Sequence, residues 1–350
     1  MRLHRPWFSL ALLLGFLPGA AVAEDAPALS PQALAAMKAD YRRPAPRAME
    51  NTALVDLGRL LFWDIRVSAS GKTACVSCHL PQLGWAVTDK FSRNDSGKPT
   101  SRRSQPLIGL GHAAEGTLFG WDGRNVSFEA QAKSSVASGS MSMRETDTPV
   151  KVEVIEARLR AIPDYVDRFQ KALPGKTMSL DAVATAIAAY ERTIEPGPAA
   201  FDRWIAGDES AISQAAKRGF VLFNGKANCS ACHSGWRFTD DRFHDIGTTT
   251  TDRGRGRELK DDPLMQFAFK TPTLRSVAQR PPYMHNGSSA SLEDVIAHYV
   301  KGGLDRPSRS PVMMPLDLNG QEQQDLVEFM KILTGSPEGE SAPTLPAAPM

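Results

Sequence analysis

The sequence predicts a mostly α-helical protein made of two similar units joined by long loops. Three observations carry that expectation. A five-residue pattern, C-x-x-C-H, occurs twice and uses all four cysteines of the 350-residue chain: Cys75-Val76-Ser77-Cys78-His79 and Cys229-Ser230-Ala231-Cys232-His233. The surroundings repeat as well. Leu57-Gly58-Arg59-Leu60-Leu61-Phe62 precedes the first pattern and Arg218-Gly219-Phe220-Val221-Leu222-Phe223 the second. Gly84-Trp85-Ala86-Val87-Thr88-Asp89 follows one and Gly235-Trp236-Arg237-Phe238-Thr239-Asp240 the other, the mark of a duplicated unit. Finally, apolar residues recur at helical spacing ahead of each pattern, and strand-like alternation is nearly absent.

In chain order, residues 1–23 read as an export signal. Arg2 and Arg5 precede an apolar run from Trp7 to Leu17, and a small-residue stretch closes with Ala21-Val22-Ala23. A charged start, a short apolar centre and an A-x-A end define a cleaved secretory signal. The run is too short to span a bilayer comfortably. The expectation is a periplasmic protein with no membrane anchor, cut before Glu24. About 327 residues then remain, room for two ordinary domains. Without Arg2 and Arg5 the chain has 39 basic and 39 acidic residues, a neutral balance that does not ask for nucleic acid or an anionic membrane.

Four cysteines in an exported protein would ordinarily suggest two disulfides. Their spacing says otherwise, because C-x-x-C-H is the attachment pattern of covalent c-type haem. Two thiols one helical turn apart form thioethers to the haem vinyls, and the adjacent histidine reaches the iron. A zinc knuckle or redox disulfide would not require the histidine twice. Cys75, Cys78 and His79 are therefore expected to hold one haem c, with His79 on its iron. Cys229, Cys232 and His233 are expected to hold a second, with His233 on its iron. Each unit then reads as a cytochrome c-like domain, 24–195 and 196–335.

Residues 150–171 and 179–194 have amphipathic helical spacing, interrupted at Pro163 and at Pro174-Gly175. Glu195-Pro196-Gly197-Pro198 marks the hinge between domains. In the second unit, Ser291 and Asp294 form an S-x-x-D capping signature that starts a helix. Leu292, Val295, Ile296 and Tyr299 share one face of it, and His298 lies off that face. On the residues alone, an inward tyrosine of this kind is a core residue. The Pro/Ala/Ser-rich stretch 336–350 reads as a disordered tail.

Three further motifs complete an ordered set: Trp121-Asp122-Gly123-Arg124, Phe269-Lys270-Thr271-Pro272-Thr273-Leu274-Arg275 and Pro282-Tyr283-Met284-His285-Asn286-Gly287. From about residue 45 to 335 the chain resembles the bacterial dihaem cytochrome c peroxidase and MauG superfamily. It is most similar to the MauG type, whose members complete a tryptophan tryptophylquinone cofactor in a precursor protein.

The resemblance implies roles. In the peroxidases a methionine ligates the second haem; at that position stands Tyr299, as in MauG-type members. A phenolate is a hard anionic donor and should lower the potential that methionine would raise, suiting the haem to storing oxidising equivalents. Many family members close the first haem with a histidine in the loop after the first pattern. No histidine occurs between Leu80 and Leu110, and His112 reads as a surface loop residue, so the first haem is expected to be open to peroxide. Gln131, ten residues after Trp121, matches a pocket glutamine. The pocket glutamate falls on Met141 and the pocket proline on Ser135. Glu145 would supply the carboxylate if the loop 134–144 holds an insertion; Met141 or Met143 would ligate the iron and close the site; or the pocket would run slowly without the acid. Trp121 matches an indole placed between the haems.

Family members also bind one calcium ion there, which implies Arg280 and Pro282 as ligands. The usual asparagine is lost at Ser104, with Asn94 a substitute. Arg253, Arg255 and Arg257 read as a solvated loop or a docking site. Two enzyme readings and one non-enzymatic reading follow. The first is a MauG-like oxidase using hydrogen peroxide to oxidise a protein substrate. The second is a peroxidase drawing electrons from a small cytochrome c or cupredoxin. The third is a dihaem electron carrier with Met141 on the first iron.

Overall fold

The computed structural model describes residues 30–48, 51–137, 139–142, 152–335 and 340–347. Residues 1–23 lie outside them. The described chain is mostly helical, with one two-stranded antiparallel ribbon, β1 (Phe243–His244) and β2 (Phe269–Lys270), among the described residues. The long stretches between helices carry only short 3-10 turns.

Local signals set the helix ends. The first helix, α1, runs Pro31–Ala39 behind a Ser30 cap. Asn51 accepts from Leu54 N to start α2 (Thr52–Trp63), and α3 runs Phe128–Ala137. The amphipathic stretch expected over 150–171 forms two helices, α4 (Val152–Arg160) and α5 (Pro163–Ala172), parted at Pro163, where the ring takes the first helical position. Ser179 caps α6 (Leu180–Glu191). Then follow α7 (Ala200–Ile205) and α8 (Gln214–Asn224), the latter capped by Ser213. The signature at Ser291 and Asp294 is a reciprocal capping box for α9 (Leu292–Lys301). Asn319 and Glu322 form another for α10 (Gly320–Lys331).

The duplicated sequence becomes a duplicated crossing. In the first unit α2 packs across α6, and in the second α8 packs across α10. The repeated glycine explains both. A Cβ on Gly58 would lie 1.9 Å from Ala186 O, and one on Gly219 would lie 2.0 Å from Asp325 O. Only glycine lets the backbones approach this closely. Four residues on, Phe62 meets Tyr190 and Phe223 meets Phe329, at ring separations of 5.3 and 5.1 Å. Each crossing anchors a separate core, one around α2, α4, α5 and α6 and the other around α7, α8, α9 and α10.

The termini do not follow the boundaries drawn from sequence. Tyr41, placed with 24–195, is buried in the second core, stacked on Phe238 at 4.9 Å and edge-on to Phe220. Residues 340–347, expected to be disordered, lie on the first unit. Glu340 accepts from the Tyr190 hydroxyl at 3.1 Å, Arg66 donates to Pro346 O at 2.8 Å, and Leu345 packs on the core. Composition signalled only an irregular backbone there. It carried no information about the partners that hold it.

Candidate haem sites and the space between them

Both C-x-x-C-H segments begin as 3-10 turns, Cys75–Ser77 and Cys229–Ala231. All four cysteines are free of disulfides. His79 Nδ1 lies 3.1 Å from Trp85 O, and His233 Nδ1 lies 2.9 Å from Phe238 O. Both carbonyl-bearing aromatics have left-handed backbones, with φ of 59° and 53°, a strained state for bulky residues. Their burial holds them there. A ring that donates Nδ1–H to a carbonyl keeps its Nε2 lone pair for a metal. Burial also pushes the His79 imidazolium down to about 4, favouring the neutral ring that iron requires. Paired thiols, an oriented imidazole and a cavity beyond each fit two covalent haems c. One detail departs from the sequence repeat: Trp85 and Trp236 align, but the second carbonyl comes from Phe238. Trp236 instead lies beside His112, at 5.1 Å between rings.

The cavity at His79 is lined by Gln131, Ser135, Met141, Asn125, Trp121 and Glu191. Gln131 is pinned, since its Oε1 accepts from Asn125 at 2.6 Å and its Nε2 donates to Ser135 Oγ at 3.3 Å. Met141 is buried with its Sδ 3.9 Å from Cys75 Sγ. Glu145 and Met143 lie outside the described residues. Glu191, at the end of α6, escaped the sequence reading because no local pattern marks it. It is 8% exposed, and burial, with Glu129 adding and Arg192 opposing, pushes its carboxyl up to about 8.

The cavity at His233 is lined by Tyr299, Leu292, Ile296, Met313 and Met330, among others. Tyr299 sits on the inward face of α9, as its spacing predicts. Its hydroxyl has no hydrogen-bond partner among the described residues, and burial pushes the phenol up. It becomes anionic only beside a strong positive charge. His298 turns away, its Nε2 2.8 Å from Ile246 O. Met313 and Met314 also face this cavity; the loop that brings them carries no periodicity that sequence reasoning can use.

Trp121 borders both cavities. Its Nε1 donates to Arg103 O at 2.8 Å, which fixes the indole plane. The nearby oxygens do not suit calcium. Arg280 O accepts from Arg103 Nη2 at 3.2 Å. Asn94 Oδ1 accepts from Ser96 N, Ser96 Oγ and Lys98 N within its own turn. Pro282 lines the second cavity. Burial already pushes the Arg103 and Arg280 guanidinium groups down to about 10. Calcium takes about six to eight oxygens, usually with carboxylates among them. This pair of buried cations does not fit it, and calcium takes no part in the chemistry derived for the site.

One loop expectation changes and another holds. His112 is a half-buried contact between the units, its ring 5.1 Å from Trp236 and its Nε2 2.9 Å from Glu195, not a surface residue. Arg255 donates to Asp122 O and Gly123 O, Arg253 to Gln266, and Arg257 pairs with Asp252. The arginine run is thus a solvated loop, with Arg253 and Arg257 exposed, whose side chains bond within the chain.

Known proteins align with this arrangement. Residues 52–210 match the family described as di-haem cytochrome c peroxidase, and 216–334 match cytochrome c. The chain is 44% identical to the methylamine utilization protein MauG of Methylorubrum extorquens, over 91% of this chain and 90% of that protein. It is 36% identical to the cytochrome-c peroxidase IdrP1 of Denitromonas iodatirespirans, over 83% and 85% respectively. The crystal structure of a MauG-like protein associated with microbial copper homeostasis superposes with a TM-score of 0.73 at 27% identity, covering 84% of this chain and 94% of that one.

Proposed function

Because the chain belongs to the di-haem cytochrome c peroxidase and MauG family, and is therefore a haem oxidoreductase, we propose that it is a MauG-like periplasmic oxidase. It uses hydrogen peroxide equivalents to oxidise residues of a protein substrate, as in tryptophylquinone-type cofactor maturation. The observation behind this reading is Tyr299, a phenol without a hydrogen-bond partner among the described residues, in the cavity of His233. It would hold the second haem by supplying its iron with a hard anionic oxygen in place of a soft thioether. When bound, the two haems supply peroxide cleavage and hold the oxidising equivalents. The chain's own residues do the rest. His79 and His233 are held as neutral ligands. Gln131, locked by Asn125 and Ser135, presents a fixed polar group to the first cavity. Trp121 lies where an indole can pass electrons between the two sites. Met141 has its sulfur 3.9 Å from Cys75 Sγ, beside a thiol that would be tied to the haem, which favours an open first haem over a methionine-closed one.

The peroxidase alternative has a specific observation of its own: Met313 and Met314 share the second cavity, and thioether ligation there would raise the potential. Electron paramagnetic resonance of the ferric protein, purified with both haems, separates the readings. One high-spin five-coordinate haem and one low-spin His/Tyr haem are expected. Two low-spin haems with a methionine signature at the first would sink the oxidase reading in favour of a carrier. Rapid turnover with a reduced small cytochrome or cupredoxin and peroxide would favour the peroxidase. Export is checked separately, since mature protein should lack residues 1–23.

A further inference from the structure

We propose that Glu191 is the acid of the first haem site, holding the proton that peroxide cleavage requires. The proposal rests on the peroxide-using reading and names a group which that reading otherwise lacks among the described residues.

The duplicated architecture exposes this residue. Tyr190 approaches Gly58 as Phe329 approaches Gly219, with the side-chain Cβ atoms 3.0 and 2.7 Å from the glycines' added Cβ. The next residues, Glu191 and Met330, are therefore equivalent, and each lines the haem cavity of its own unit. The second unit places an apolar thioether there, 5% exposed. That is the ordinary solution for a position facing a macrocycle. The first unit places a carboxyl.

The carboxyl has no structural use. Among the described residues it has no hydrogen-bond or ion-pair partner, and its neighbour Arg192 is engaged with Glu129 at 2.8 Å. Buried carboxyls are ordinarily paired, because desolvation without a partner is costly. Glu191 also ends α6, where the negative end of the helix dipole favours the protonated form. Meanwhile the position that the family resemblance gives to a glutamate holds Met141, whose sulfur lies against Cys75. Among the described residues the first cavity thus holds no acid at that wall and carries one at another.

The step balances. When the O–O bond breaks, the outer oxygen leaves as water, keeping its own proton and the bonding electron pair, with two electrons withdrawn from the haem pair. It needs one more proton. The Glu191 carboxylic acid donates that proton and receives the inner oxygen's proton in exchange, so it ends as it began. Burial holds the group protonated up to about pH 8, so the reaction should slow as pH rises through that value.

The test uses the protein carrying both haems. In stopped-flow mixing with hydrogen peroxide, Glu191→Gln should slow the first reaction by about 10²-fold, the scale of general-acid catalysis. It should also abolish the loss of rate above about pH 8, and Glu191→Asp should restore part of both. Infrared spectra of the unmodified protein should show a buried carboxylic-acid band that fades through the same pH range and is missing in Glu191→Gln. If the unmodified protein reacts with peroxide but Glu191→Gln matches its rate and pH profile, this assignment alone fails. If the unmodified protein does not react at all, the peroxide-using reading fails, and this one with it. Should no variant retain both haems, absence of the titrating band from the unmodified protein overturns the proposal.

Discussion

Tyr299 and His298 are neighbours on α9 with opposite surroundings, and that contrast gives a clean substitution test. If Tyr299 ligates the second iron as proposed, Tyr299→Met exchanges a hard oxygen for a soft sulfur. The potential of the second haem should rise, because the preferential stabilisation of oxidised iron is lost. Spectroelectrochemical titration measures this directly. The variant should also accept electrons from a small cytochrome more readily. His298→Ala removes the bond to Ile246 O and an edge-on contact with the Tyr299 ring at 5.7 Å, but no ligand, and should leave the low-spin spectrum unchanged. If His298→Ala abolished that spectrum while Tyr299→Met preserved it, the ligand assignment would be wrong. Calcium gives a second prediction at this scale. With Arg103 donating to Arg280 O, the inter-haem region already contains its cations, so exhaustive treatment with a calcium chelator should leave spectrum and peroxide reactivity unaltered. A chelator-induced spin-state change at either haem would mean that these residues do hold the ion. The residues most legible in the sequence were those whose chemistry is local. C-x-x-C-H fixes thiols and imidazole within one turn, and the 3.6-residue period places Tyr299 inward. Glu191 and Met313 were not legible. Each reaches its cavity by packing across distant segments, and neither stands in a pattern that marks its role.

At the scale of elements, each unit depends on one helix crossing. Gly58→Ala and Gly219→Ala would place a methyl 1.9 and 2.0 Å from carbonyl oxygens of the partner helices. The helices must then separate, at a cost of about 1–3 kcal/mol or more for overpacking. Gly320→Ala is the control, since its added methyl meets nothing within 4 Å. Thermal unfolding followed by circular dichroism should show both crossing variants destabilised and the control near wild type. Equal stability of all three would remove the close approach as the reason for the repeated glycine. The repeat itself is visible in the amino-acid sequence, and so are most helix starts, because Ser179, Ser213 and the Ser291–Asp294 pair cap their own first turns. Which helix each one crosses is not. The α2–α6 and α8–α10 pairs are separated in sequence by more than 90 residues, and no periodicity reports a partner at that distance.

For the whole molecule, the two units are tied together by exchange and by charge. Tyr41, ahead of the first unit, is buried in the second, while residues 340–347, after the second, lie on the first. Between them Arg102 joins Asp122 at 2.7 Å to Asp252 at 2.6 Å, linking a loop of the first unit to one of the second. Burial alone would raise the Asp252 carboxyl. The Arg102 guanidinium, the Gly254 N–H and Arg257 outweigh it and hold the group at about 2. Asp122 is lowered too, with burial opposed by Arg124 and Arg102. A carboxyl held below its unfolded value of about 4 contributes stability that is present above that value. The contribution is lost as pH falls through the folded one. Acidification from about pH 4 to about 2 should therefore loosen the junction at which Trp121 sits. Near-ultraviolet circular dichroism, sensitive to the packing of that indole, should change across this window in the unmodified protein. Asp252→Asn keeps the shape but cannot titrate, and it leaves Arg102 with Asp122 alone. Its stability at neutral pH should fall, and its dependence on pH in the acid window should be shallower. An unchanged slope with an unchanged neutral stability would mean that the terminal straps, not the Arg102 clamp, hold the two haem units in register.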